Sequence, residues 1–365
     1  MWEKSEEREE RKMEKQKLEN QNQPGKGEVT ARLGLSSTLT EKGSPEILSD
    51  EQKAADVLRT IARDPDMKDF VMRTPWLYRI LYSAAKRYVA GEQGSEAVRA
   101  AVRLRELGYR QSLEFIGENT ADAEECRRAT DEFLALIKES SQQGLSADIC
   151  FDLSHIGLLF DEKLALENAE ELARCAKEHG QYVMISMEES AKTSAIYRVY
   201  EQLASRMHNI GITVQSHLHR TIDDLPRLLA LPGKIRLVKG AFKEAPEVAL
   251  PRSAELRERY LSLAEQIVRA GHPLSIATHD DQIVKAVLER EYLGNASVEL
   301  EMLYGVREEA ARALLAKGIP IRLYVTYGTE WYLYLCHRLA EHPPNLYRAL
   351  ADMLKPGRAG VEMYG

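Results

Sequence analysis

Apolar residues begin to recur at helical spacing from Leu48 onward. Segments 50–63, 66–74, 75–90 and 95–107 each carry an i, i+3, i+4 stripe and are predicted to be helices. A short apolar run at 112–116 (SLEFI) then starts a different rhythm, in which strand-like runs alternate with helical ones. Run 112–116 precedes a helical 122–140, 148–153 (DICFDL) precedes 164–179, and 182–187 (YVMISM) precedes 194–208. Next, 212–216 (ITVQS) precedes 221–231, 235–239 (IRLVK) precedes 253–270, and 274–277 precedes 281–291. The last two pairs are 298–302 with 308–317 and 321–325 with 330–340. Eight βα units in a row imply parallel strands with helical crossovers and match the strand count of a (βα)8 TIM-type barrel, an α/β fold. A doubly wound open sheet is the competing arrangement, but no G-x-G-x-x-G follows the first strand. In a barrel the chemistry sits where the strands end.

The first 48 residues break this pattern. Glu, Lys and Arg crowd the first twenty, and a polar Gly- and Pro-punctuated stretch follows, so 1–48 is expected to be a charged, disordered tail, with a partner-binding helix as the alternative. Segment 49–107 is expected to be a helical unit on the bottom or side of the barrel, and 108–365 the barrel itself. Lys and Arg number 50 against 57 Asp and Glu, and a net charge of −7 argues against nucleic-acid binding. The four cysteines form no C-x-x-C pair, which disfavours a disulfide scaffold or a zinc ribbon. The start lacks the apolar core of a signal peptide and no run of about 18 apolar residues exists, so a cytoplasmic protein with at most peripheral contact at the inner membrane face is expected. Tyrosine is the abundant aromatic, 16 against 6 Phe and 3 Trp, and it combines an apolar wall with a hydroxyl.

Three strand ends carry polar chemistry. The fifth ends in Arg236-Leu-Val238-Lys239-Gly240-Ala241-Phe242, and Arg236 and Lys239, three apart, point to opposite faces. The inward cation needs an acceptor, which an anionic ligand or an internal salt bridge would supply. Gly240 permits close backbone approach to a ligand. The sixth ends in Ala277-Thr278-His279-Asp280, a hydrogen-bonding cluster without the partner ligands a metal would need. After the eighth, Tyr334, His337, Arg338 and Glu341 share one helix face, as a ligand-facing row or a ladder in which Glu341 pairs with His337 or Arg338. Trp331, Leu335 and Leu339 in the same helix suggest a packed setting.

These strings resemble the proline dehydrogenase family, whose barrel carries RLVKGAY on strand five, ATHN on strand six, F-x-x-L-x-G at strand seven and Y-x-x-R-R-x-x-E on a last helix over the flavin. Here they read RLVKGAF, ATHD, LEMLYG (300–305) and YLCHRLAE, within a match spanning about 113–345. The resemblance implies a distorted (βα)8 barrel with non-covalent FAD that oxidises L-proline to Δ1-pyrroline-5-carboxylate and passes electrons to a quinone or another acceptor. It places Gln215 facing the isoalloxazine ring, Arg236 near flavin N5, and Val238, Lys239, Gly240 and Ala241 against the cofactor. It puts Thr278, His279, Asp280 and Glu341 among the flavin-holding residues, and Leu303, Tyr324 and Tyr334 in the substrate-pocket wall. Arg338 would hold the substrate carboxylate, with His337 assisting.

Four departures cluster on the substrate side. His337 replaces the first Arg of the last helix, Asp152 a strand-two Lys, Ser186 a strand-three Asp, and Phe242 the Tyr after K-G-A. Glu118 matches the glutamate that pairs with the replaced Arg, and a nearby Glu118 or Glu341 would leave His337 partly protonated near neutral pH. Imidazole does not reproduce a bidentate Arg–carboxylate contact. The flavin half therefore reads as kept and the carboxylate half as rebuilt. Proline oxidation, the first step of proline catabolism, is the expected activity. The alternatives are oxidation of another cyclic or secondary amine, favoured if Asp152 faces the pocket, and a non-catalytic flavin-binding homologue.

Overall fold

The computed structural model describes residues 49–365 apart from 118, 121, 342, 343 and 355–358, so the expectation for 1–48 lies outside the described residues, as does Glu118. Leu48–Gly365 forms one compact unit. Its centre is a closed barrel of eight parallel strands in sequence order: β1 (Arg110–Phe115), β2 (Asp148–Phe151), β3 (Tyr182–Ile185), β4 (Ile210–Gln215), β5 (Ile235–Val238), β6 (Leu274–Ala277), β7 (Val298–Leu303) and β8 (Ile321–Tyr327). β8 closes on β1 through six register pairs from Arg110↔Arg322 to Phe115↔Tyr327. The alternation expected from the sequence is thus a (βα)8 barrel, and the open sheet is excluded.

Four helices precede β1: α1 (Asp50–Ala62), α2 (Pro65–Arg73), α3 (Pro75–Ala85) and α4 (Gly94–Glu106). The crossover helices are α5 (Ala123–Gln142), α6 (Glu162–Glu178), α7 (Thr193–Ala204), α8 (Thr221–Leu228), α9 (Ala254–Arg269), α10 (Asp281–Glu289) and α11 (Glu308–Leu315). After β8 come α12 (Trp331–Glu341) and α13 (Pro344–Leu354). Helix starts follow local chemistry. Asp122 accepts from Glu125 N–H at 2.9 Å to cap α5, and Ser253 accepts from Leu256 N–H at 3.2 Å to cap α9.

The strands alternate in an inverted sense. Outward residues such as Ile235, Leu237, Leu300, Met302, Leu323 and Val325 are apolar and fuse with the helical layer into the main core. Inward residues are polar. At the lower level Lys234 bonds Asp148 (2.6 Å) and Glu299 (2.5 Å), while Arg322 bonds Glu299 (2.6 Å). Above them Arg236 binds Glu301 through two 2.9 Å bonds and reaches Ser112, Thr213 and Cys150. Three cations thus meet three carboxylates where most barrels place branched aliphatics. Arg322 and Lys234 hold the Glu299 carboxyl far below its ordinary range against the opposing effect of burial, so the layer is charged at neutral pH.

The early helices correct one expectation. α1–α3 pack against α12 and α13 at the mouth side of the barrel, not the bottom. Trp331 of α12 lies edge-on to Tyr78 at 5.3 Å, and its indole N–H donates to Glu92 at 3.0 Å. Lys68 pairs at 2.5 Å with Glu330, just past β8. α4 alone lies along the barrel side, against α5 and β1.

Candidate active site

The C-terminal strand ends bring the expected residues to one mouth. Gln215 ends β4, and its amide N–H donates to the Glu188 carbonyl at 2.8 Å. His279, after β6, accepts on Nε2 from Leu303 N–H at 3.0 Å. Burial, with Arg338 and Arg307 nearby, pushes its pKa down to about 3, so the ring is neutral and its proton sits on Nδ1. Arg338 of α12 stacks over the Tyr334 ring at 4.9 Å and donates to Glu341 at 2.7 Å. Of the two partners open to Glu341, the structure selects Arg338.

Buried polar atoms around this mouth lack partners among the described residues: Gln215 Oε1, His217 Nε2, His279 Nδ1, Tyr334 OH and Arg338 Nε. Left bare, each costs free energy, so they form a set awaiting a polar ligand. Mixed donors and acceptors on β4, the β4 and β6 loops and α12 suit a flat heteroaromatic ring with a charged neighbour.

Several assignments change. Arg236 is the inward cation, but Glu301 holds its guanidinium, so the internal salt bridge left open above is the one formed. It still stacks over Tyr324 at 4.8 Å. Lys239 and Asp280 pair with each other, and Asp280 also caps α10 by accepting from Gln282 N–H at 2.9 Å. Both therefore shape the loops beside the mouth. Gly240 has φ +113, and a Cβ there would meet His217 Nδ1 at 2.1 Å, so a glycine is required for its close approach to His217. Thr278 is buried and accepts from Asp280 N–H at 3.1 Å. Val238 and Leu303 are half-buried at their strand ends, and Ala241 is exposed.

His337 is not partly protonated. Burial, reinforced by Arg63, Arg338 and Arg59, lowers its pKa to about 4, so it is neutral at pH 7. The tyrosine cluster also divides. Tyr324 points into the barrel and Tyr334 lies at the mouth. Tyr327, three residues along β8, points outward to Glu132 at 2.9 Å, and Tyr332 packs towards α1, 3.5 Å from the Ile61 carbonyl. Ser186 donates to Glu114 at 3.3 Å, and the Tyr324 hydroxyl also donates to Glu114. Asp152 is half-buried at the end of β2 and opens the turn Leu153–Ile156.

Sequence reasoning passed over Glu114, His217 and Glu301. The period-two pattern of SLEFI carries a usable signal: Ser112 and Glu114 share the inward face of β1.

The sequence model of the proline dehydrogenase family matches residues 97–346. The chain is 31% identical over 304 residues to proline dehydrogenase of Deinococcus radiodurans, covering 81% of this chain and 96% of that one. It is also 31% identical over 274 residues to proline dehydrogenase 1 of Bacillus subtilis, covering 74% and 91%. The chain belongs to the proline dehydrogenase family. It is an oxidoreductase. Among solved structures, proline utilization A from Bdellovibrio bacteriovorus matches with TM-score 0.66 at 16% identity. That match covers 86% of this chain and 43% of the other protein, so the chain spans less than half its length and the likeness concerns the fold. Among the described residues no helix is long and apolar enough to cross a membrane.

Proposed function

We propose that this proline dehydrogenase family member oxidises L-proline to Δ1-pyrroline-5-carboxylate, the opening reaction of proline catabolism, with FAD held at the barrel mouth. The observation that carries the cofactor is the ring of unpartnered polar atoms: Gln215 Oε1, His217 Nε2 and the His279 Nδ1–H would hold the flavin. When bound, FAD supplies the two-electron acceptor for a hydride from the carbon beside nitrogen. Arg338 would take the substrate carboxylate. Its Nε is free, burial has been offset by Glu341 and Tyr334, and its charge is secure at any working pH. Leu303, Tyr324 and Tyr334 would wall the ring and exclude water. Electrons would leave to a quinone or another acceptor.

A second reading is a cyclic amine without a carboxylate. The neutral His337, standing where the family has Arg, favours it. Anaerobic addition of L-proline to the purified, flavin-loaded protein should bleach the yellow absorbance. Persistence of the colour with proline, and its loss with pyrrolidine, would give the second reading precedence.

A further inference from the structure

The inward face of the barrel strands carries four carboxylates: Glu114, Asp148, Glu299 and Glu301. Three are neutralised within the interior, Asp148 by Lys234, Glu299 by Lys234 and Arg322, and Glu301 by Arg236. Among the described residues no Lys or Arg forms an ion pair with Glu114. It sits two residues above Ser112 on β1, at the level of the substrate wall, where the Tyr324 hydroxyl and the Ser186 hydroxyl each donate to one of its oxygens. An ionised carboxylate offers about four acceptor positions, so about two stay open. Arg236, the nearest strand cation, has its donors committed to Glu301, Ser112, Thr213 and Cys150.

We infer that Glu114 is the amine site: its carboxylate, clamped by Tyr324 and Ser186, receives the substrate ammonium while Arg338 receives the carboxylate. The inference deepens the proposed function and rests on it for the location of the substrate. An unpaired carboxylate inside protein is costly, and a cationic ligand removes that cost. Groups of opposite charge, Glu114 and Arg338, would also orient a zwitterion between them.

The same group completes the proton balance. The bound secondary ammonium gives one proton to the Glu114 carboxylate. The nitrogen lone pair so released would form the C=N bond, and FAD, which Gln215, His217 and His279 would hold, would supply the two-electron acceptor for the hydride on the adjacent carbon. The substrate thus loses one proton and two electrons with a hydrogen, and Glu114 ends protonated until solvent resets it. Burial raises the Glu114 pKa, opposed by the Tyr324 and Ser186 hydroxyls and by Arg236 and Arg338, which suits a group that must take up a proton. Other groups facing it are Cys150 on β2 and Tyr334 on α12, with Asp152 two residues beyond Cys150.

The test separates charge from shape by calorimetric titration of the holoenzyme with pyrrolidine, which lacks the carboxylate, and cyclopentanecarboxylate, which lacks the amine. Glu114→Gln should weaken pyrrolidine about tenfold or more while leaving cyclopentanecarboxylate within about twofold, the loss expected for one charge-assisted bond. In the unaltered protein, which needs no variant to fold, pyrrolidine affinity should rise with pH as Glu114 ionises, above the ordinary glutamate range of about 4.3, and cyclopentanecarboxylate affinity should not. Equal effects of Glu114→Gln on both ligands, or no effect on either, overturn the inference, as does a flat pH response for pyrrolidine. Because binding is read directly, a protein that binds pyrrolidine through Glu114 but is not bleached by proline rejects the proposed substrate and keeps the amine site.

Discussion

Arg338 and His337 are neighbours on one helix, yet their surroundings drive them in opposite directions. Glu341 and the Tyr334 ring keep Arg338 charged, whereas burial and three arginines keep His337 neutral. Only one fixed cation from this pair is therefore available to the substrate carboxylate in the proposed site. Arg338→Lys keeps the charge but loses the planar fork and the stack on Tyr334. It should lower kcat/KM for proline about ten- to a hundredfold, largely through KM, as read by steady-state flavin-coupled dye reduction. A variant that matches the parent would mean that another residue binds the carboxylate.

At the level of elements, β5 and β7, separated in the barrel by β6, are joined by the buried Arg236–Glu301 pair. Removing one partner strands the other charge among Ser112, Thr213 and Cys150. Arg236→Met should destabilise the fold by about 3–5 kcal/mol, while adding Glu301→Leu should recover much of the loss, since a paired buried charge is costly only when broken. Urea unfolding of the single and double variants measures both, and a double variant no better than Arg236→Met would contradict the account. The same pair shows what the strand-end motifs do not record. Arg236, Lys239 and Asp280 sit in the strings that resemble the family's flavin contacts, but their charges are spent on Glu301 and on each other.

Among the described residues four buried or half-buried imidazoles have depressed pKa values: His155, His217 and His337 at about 4 and His279 at about 3, each chiefly through burial. The unfolded chain binds protons to them from about pH 6.5 downward and the folded chain does not, so their contribution to stability falls as pH drops through that window. Glu114, with its raised pKa, acts in the opposite direction, but it is one group against four. Tm should be lower at pH 5 than at pH 7 by about 5 °C or more in differential scanning calorimetry. An unchanged Tm would show these histidines to be wetter than the structure has them. The sequence by itself determined the order and number of the βα units and the family, because both reside in local periodicity and in contiguous strings such as RLVKG. It also placed Gln215, His279, Tyr334 and Arg338 at a strand end or on a helix face, where the structure has them. Only the tertiary structure decided which charges remain available. Ion pairing inside a closed barrel joins residues as far apart as Asp148 and Lys234, or Arg236 and Glu301, and no local pattern records that, among the described residues, no Lys or Arg forms an ion pair with Glu114.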